Sequence, residues 1–253
     1  MRAEAEAVEF SGATFRFGDL NVLEPLDMRV EPGEVVALVG PSGCGKSTLL
    51  ELISGLREPA AGRVAVGGDA ATRLRHAALM PQRDCLLPWL HALDNAALAP
   101  RNRGLGRSQA RARASALLTR FGLGEFLDAA PGELSGGMRQ RVAFARTLLA
   151  EKPVIALDEP FAALDAITRG EMQEWLAGAL AEIARTVVMV SHDVEEALYL
   201  ADRVLVLSQR PAHLVAEVSS PTPRARPRAL AVTDQAFLAA RARAMAALGG
   251  EAT

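Results

Sequence analysis

Hydrophobic and polar residues change their period several times along this chain, and the changes mark out its elements. Short apolar runs broken by turn residues fill the opening third. "ATFRFG", "LDMRVEPGE", "EVVALVG" and "GRVAVGG" read as strands, with a helix from about Lys46 to Ser54 before the last of them. "HAALMPQ" reads as one more strand. The pattern then turns helical from His91 to about Ala150, with breaks near Gly104 and from Gly122 to Gly124. From Lys152 the alternation returns: strand "VIALDE", helix Ala166 to Ile183, strand "TVVMVS", helix Val194 to Leu200 and strand "RVLVLS". Apolar strands alternating with helices predict a mainly parallel sheet covered on both faces, with the helical block at about 88–150 as an inserted subdomain. Residues from about 209 to 253 read as a linker and a helix. "SSPTPRARPR" has the composition of a mobile connector, and an Ala-rich helix follows from about Asp234 to Leu248.

The first chemistry lies at the end of "EVVALV". Residues 40 to 50, "GPSGCGKSTLL", match G-x-x-x-x-G-K-[ST] with Gly40, Gly45, Lys46 and Ser47 in the fixed places and Pro41, Ser42, Gly43 and Cys44 between them. The glycines let successive N–H groups converge on phosphate oxygens, and the helix that starts near Lys46 and runs on through Thr48 adds its positive N-terminal dipole. Of the 28 basic residues only Lys46 and Lys152 are lysines. The choice at Lys46 therefore asks for a reason, and size supplies one. A compact ammonium reaches into a tight loop where a planar guanidinium does not fit. Ser47 is placed to offer its hydroxyl to Mg²⁺, which takes few protein ligands beside phosphate and water.

Two more constellations follow. In "VIALDEP" the apolar residues end in Asp158 and Glu159, two carboxylates at the carboxyl edge of a buried strand, where parallel sheets bind ligands. Asp158 suits Mg²⁺, held partly through water, and Glu159 suits orienting the attacking water; the plainer alternative is an acidic pair at a helix N-terminus. In "LSGGMRQR", Leu134, Ser135, Gly136, Gly137 and Met138 open a long helix behind a Ser cap, which makes a second anion-ready helix N-terminus on the same chain.

Taken in order, these motifs resemble those of the ATP-binding-cassette ATPases, over about Val8 to Ser208. "LSGGM" is similar to the family's signature sequence, Gln82 in "LMPQRD" to its Q-loop glutamine, Asp165 in "AALD" to its D-loop, and His192 in "VSHD" to its switch histidine. Phe17, just before Gly18, stands where the family stacks an aromatic on adenine, with Phe15 as its rival. Ala163 departs from the serine usual in the D-loop.

The resemblance implies an α/β fold of the P-loop NTPase type, RecA-like, with an inserted helical subdomain and an N-terminal antiparallel β region, in a single domain over 1–253. It implies ATP and Mg²⁺ as cofactors, with Glu159, His192 and Gln82 catalytic, and Ser47, Gln82 and Asp158 around the metal. It also implies a head-to-tail pair of chains in which each ATP lies between one phosphate loop and the partner's "LSGG", with Asp165 at the seam. "LLPWLHALDNAAL", "DEPFAALDAITR" and "SHDVEEALYLADRVLVLSQRP" resemble the branch that imports nitrate, alkanesulfonates, taurine or pyrimidine vitamin precursors. The partners then expected are a second copy, integral membrane permeases and, indirectly, an extracytoplasmic solute-binding protein. Pro88 and Trp89, just past the Q-loop, would face the permease if exposed and would otherwise pack inside the helical subdomain.

Composition narrows the alternatives. No apolar run nears the eighteen or so residues needed to span a bilayer, and the acidic start "MRAEAEAVEF" is unlike a signal peptide. The expected location is the cytoplasmic face of the inner membrane, as a peripheral subunit. Two cysteines, Cys44 and Cys85, give neither a disulfide framework nor a metal spacing. "RNRGLGRSQARARA" packs five arginines without aromatics into a chain of net charge −2, so it reads as a solvated helix face and no nucleic-acid partner is expected. The competing function is a non-transport cassette ATPase of DNA repair, ribosomes or cluster assembly; those usually carry a long coiled-coil insertion or two cassettes, and this sequence has neither.

Overall fold

The computed structural model describes residues 4–221 and 226–250. A hairpin opens the chain, β1 (Val8–Phe17) and β2 (Leu20–Val30). Strand β3 (Val35–Val39) runs into the phosphate loop and α1 (Lys46–Ile53); β4 (Ala61–Val66) then returns to β1. One turn of helix, α2 (Arg73–His76), leads to β5 (Ala77–Met80). The inserted part holds α3 (Ala92–Asn102), α4 (Arg107–Arg120) and α5 (Gly136–Leu148). The alternation resumes with β6 (Val154–Asp158), α6 (Ala166–Glu182), β7 (Thr186–Val190), α7 (Val194–Leu200) and β8 (Arg203–Leu207). The described chain closes with β9 (Leu214–Ser219), α8 (Arg228–Ala231) and α9 (Gln235–Gly249).

The strands form two sheets. The first is antiparallel in the order β2-β1-β4; the second runs β5-β6-β7-β3-β8-β9 and is parallel except for its last strand. This is the α/β architecture that the alternating pattern predicts. The unbroken apolar runs have a physical reason, because the central strands are buried on both faces. Val36, Leu38, Ala156, Val188 and Leu205 pack with α1 and the antiparallel sheet. Their neighbours Ala37, Val39, Leu157, Met189 and Val206 pack with α3 to α7 and α9. Successive residues of one strand thus serve two cores, and polar residues enter these strands only at their ends: Thr186 and Arg203 open β7 and β8, and Asp158 closes β6.

The tail departs from the expectation of a linker and a helix beyond 209. Leu214–Ser219 is an edge strand, antiparallel to β8, with only Val218 buried. The expected connector is anchored where it is described. The Tyr199 hydroxyl donates to the Arg226 carbonyl at 3.2 Å, Arg226 pairs with Asp234 at 2.9 Å, and the Arg228 N–H donates to Glu174 at 3.0 Å while its guanidinium meets Glu195. Residues 222–225 of that stretch lie outside the described residues. Helix α9 buries Phe237, Ala240 and Ala244 in the larger core. Among the arginines of the inserted part, Arg111 pairs with Asp94 and both Arg103 and Arg113 with Glu151, so acidic neighbours on the same subdomain meet their charge.

Candidate functional site

The carboxyl ends of β3, β6 and β7 place the motifs side by side. Past β3 the backbone swings through Gly43 and Gly45, at φ +76° and +122°. At Gly45 a side chain is excluded twice over, by that φ and because a Cβ would lie 2.8 Å from Val22. Helix α1 then starts with neither a capping side chain nor an acidic residue in its first turn, so its leading N–H groups and positive dipole serve the loop alone. Lys46 is buried, and its ammonium donates to the carbonyls of Gly40 and Pro41 at 2.8 and 2.9 Å. The loop is therefore drawn tightly around a cation. Cys44 is buried as well, which pushes its thiol up and leaves it inert.

Across from the loop, Asp158 ends β6 and accepts the Ser47 hydroxyl at 3.1 Å. Burial pushes the Asp158 carboxyl above the ordinary range, and nearby Glu159 and Glu51 push the same way, against the Ser47 bond and Lys46. A cation would relieve that cost. The hard oxygens of Ser47 and Asp158, side by side, suit an ion that takes one or two protein ligands beside phosphate and water. Mg²⁺ fits that donor set. Glu159 follows in a left-handed conformation, φ +41°, held by its N–H to the Val190 carbonyl at 3.1 Å. Its Oε2 accepts the Gln82 amide at 2.9 Å and lies 3.5 Å from Nδ1 of His192. Two residues far apart in sequence, Gln82 and His192, thus converge on one carboxylate oxygen of Glu159.

An open cleft of about 360 Å³ joins these groups, lined by Phe17, Ser42, Gly43, Gly45, Lys46, Ser47, Thr48, Gln82 and Glu159 together with Val22 and Arg210. Phe17 is 44% exposed and stands edge-on to Phe15, which is only 8% exposed and sits in the core; Arg57 lies over the Phe17 ring at 4.7 Å. The sequence reading did not include Val22, Arg57 or Arg210. Arg210 follows β8 in a turn tied to β2 by the Ala212 N–H to Val22 and the Glu24 N–H to Ala212. Its position just past the carboxyl end of a parallel strand was the signal available.

Leu134 to Met138 lie elsewhere, for none of them lines this cleft. Ser135 caps α5, its hydroxyl accepting the Met138 N–H at 3.3 Å. Gly137 presses on α6, where a Cβ would come within 3.2 Å of Thr168. Asp165 caps α6 through the N–H groups of Ile167 and Thr168, and Ile167 is exposed beside it. Trp89 is 73% exposed, which removes the alternative of packing within the helical subdomain. Its loop is pinned from below by buried Asn95, which accepts the Leu87 N–H and donates to the carbonyls of Leu87, Leu90 and His91.

A phosphate loop on a parallel sheet, with a strand-end aspartate against its serine and a glutamate against a glutamine and a histidine, defines a nucleoside-triphosphate hydrolase of the P-loop class. The chain belongs to the ABC transporter family, whose model matches residues 23–162. It is the ATP-binding, ATP-hydrolysing component of such a transport system. It is 49% identical over 80% of its length to the aliphatic sulfonates import ATP-binding protein SsuB 1 of Rhodococcus jostii, covering 80% of that protein. It is 44% identical over 85% of its length to SsuB 2 of Pseudomonas aeruginosa, covering 77% of it. Among solved structures it is similar to the dimeric post-hydrolysis state of the ATP-binding cassette MJ0796 bound to ADP and Pi. That match has a TM-score of 0.71 and 30% identity, over 85% of this chain and 99% of that one.

Proposed function

We propose that two copies of this chain pair head to tail, bind ATP between the phosphate loop of one and the Ser135 helix end of the other, and drive import of a small sulfonate or a related small anion. One observation carries the reading: two anion-ready helix N-termini sit on one chain, at α1 and α5, and only the first opens into the cleft that Glu159 lines. The second needs a partner's nucleotide, and Asp165 with exposed Ile167 at the head of α6 gives that partner a seam.

The contacts around the cleft support a division of labour. Phe17 would offer a ring face to adenine, the Gly40–Ser47 loop and Lys46 would hold the phosphates, and Ser47 and Asp158, with Gln82 on the same cleft, would hold Mg²⁺. The bound ion supplies charge to balance the phosphates as the terminal bond breaks. Glu159 would orient and deprotonate the attacking water, with Gln82 holding its carboxylate and His192 standing beside it.

Trp89 is the proposed anchor for a membrane-embedded permease. The segment between Gln82 and Trp89 is fastened to α5, with Arg139 on the Asp84 carboxylate at 3.1 Å and Arg146 on the Asp84 and Cys85 carbonyls. Force at Trp89 therefore reaches both Gln82 and the signature helix. No helix among the described residues is long and apolar enough to cross a membrane. The proposed seat is peripheral, at the cytoplasmic face, with a solute-binding protein delivering cargo to the other side, as the likeness to importer ATP-binding proteins suggests. The solute class follows the sulfonate importers named above. Deleting the gene and growing the host on an alkanesulfonate as sole sulfur source tests it. Growth should fail, return with the wild-type gene and stay absent with Glu159→Gln; unimpaired growth of the deletion strain removes the sulfonate reading.

A further inference from the structure

The hydrolytic residues leave a buried polar pair between α6 and α7 without a task. Glu196, 5% exposed, accepts a hydrogen bond at 2.9 Å from the amide of Gln173, 2% exposed. Burial pushes this carboxyl above the ordinary range, against hydrogen bonding from Ser191 and Gln173. Without its partner either buried polar group would carry the full cost of its desolvation, so the pair constrains how α6 and α7 sit against each other. Its worth lies in fixing one geometry, and its surroundings say which.

Glu196 stands one turn beyond His192, on a helix capped by Asp193, whose carboxylate accepts the N–H groups of Glu195 and Glu196. The segment before that helix is closed on itself, with the Asp193 N–H on the Ser191 hydroxyl at 2.9 Å. Gln173 belongs to α6, whose first turns carry Asp165 and receive Gly137 of the signature helix. One buried hydrogen bond therefore joins the element that presents His192 to this chain's own nucleotide with the element that supports the signature end offered to the partner's nucleotide.

We infer that the Gln173–Glu196 hydrogen bond is a positioning device that locks the His192 segment to α6, so that the two half-sites carried by one chain move as a single body. Neither residue lines the cleft of the phosphate loop. Their effect on hydrolysis passes through the placing of His192 against Glu159, and the inference rests on the role proposed above for His192.

The test uses Glu196→Ala, Glu196→Gln, Gln173→Glu and the exchange Gln173→Glu with Glu196→Gln, beside His192→Ala, in the full chain. Glu196→Ala should slow hydrolysis on the order of 10- to 100-fold, as a small misplacement of a catalytic group does, with ATP affinity held within about twofold. Glu196→Gln keeps an acceptor for Gln173 and should retain most of the rate. Gln173→Glu sets two carboxylates together and should fall with Glu196→Ala, and the exchange, which restores a donor opposite an acceptor, should recover. Hydrogen exchange on the chain without nucleotide should show the amides of 191–193 and of 165–169 loosening together in Glu196→Ala. Where that variant does not fold, the comparison of Gln173→Glu with the exchange decides. A wild-type rate in Glu196→Ala, an exchange no better than Gln173→Glu alone, or unchanged protection at 191–193 overturns the inference. A harmless His192→Ala instead overturns the histidine's role, and the exchange data then decide the coupling by themselves.

Discussion

The Gln82 amide donates to Oε2 of Glu159 at 2.9 Å, across 77 positions of sequence, and thereby fixes the carboxylate that stands at the mouth of the phosphate loop. Replacing Glu159 with Gln keeps the shape and the phosphate cradle but removes the base. Turnover should drop about 10²-fold or more, with ATP binding intact and an ATP-stabilised dimer on gel filtration. Hydrolysis near the wild-type rate would take Glu159 out of the role.

Lys46→Arg tests whether size or charge matters in the loop. The ammonium is buried and already bound by the carbonyls of Gly40 and Pro41, which leaves little room for a planar fork. ATP affinity should weaken about tenfold or more, ~1.4 kcal/mol, in an equilibrium titration. Unchanged affinity would show that charge alone suffices.

Asp158 gives a pH signature. Its carboxyl is raised by burial, so the folded chain holds the proton more tightly than the unfolded one. Between the unfolded and the raised folded pKa the native state binds more protons, and stability is lost as pH rises through that window. Asp158→Asn cannot ionise yet still accepts the Ser47 hydroxyl. Without nucleotide the variant should melt higher than wild type at neutral pH, with the gap closing toward acid, while Mg²⁺-dependent ATP binding weakens. Parallel melting curves at all pH values would contradict the burial argument.

Trp89 and Asn95 should separate cleanly. The Trp89 ring is exposed, so Trp89→Ala should change the stability of the chain by less than about 0.5 kcal/mol and leave ATP binding alone. Asn95→Ala strips the hydrogen bonds that hold the loop beneath Trp89 and should cost about 1–3 kcal/mol in denaturant unfolding. Only the tryptophan variant should lose permease-stimulated hydrolysis while keeping a wild-type fold.

The sequence made the phosphate loop and the strand-end carboxylates legible because each requires a fixed local order of residue types. "EVVALVG" and "VIALDE" also announce double burial by their unbroken apolar runs. The convergence of Gln82, Glu159 and His192 has no local signal; it arises from β5, β6 and β7 lying side by side in the sheet. Strand β9 was hidden because an edge strand that buries only Val218 shows little hydrophobic period, and Arg210 could not be placed without the turn it follows. The anchoring of 226–228 was masked by composition: prolines and arginines suggest solvent, but these arginines meet Asp234, Glu174 and Glu195.

The separation of Ser135 from the cleft predicts how activity depends on concentration. Lys46, Ser47 and Glu159 line one opening and Asp158 bonds to its Ser47, whereas Leu134 to Met138 head a different helix and contribute nothing to that opening. A lone chain should therefore hydrolyse ATP weakly, at a rate per chain that climbs with protein concentration as pairs form. A permease that seats two copies should raise the rate by making the encounter near-intramolecular. Ser135→Arg places a bulky side chain at the helix end offered to the partner's nucleotide and should abolish the concentration-dependent part without affecting ATP binding to the loop. A high rate that is first order in chain and indifferent to Ser135→Arg would mean that one cleft is complete by itself, and the head-to-tail pair would fall with that result.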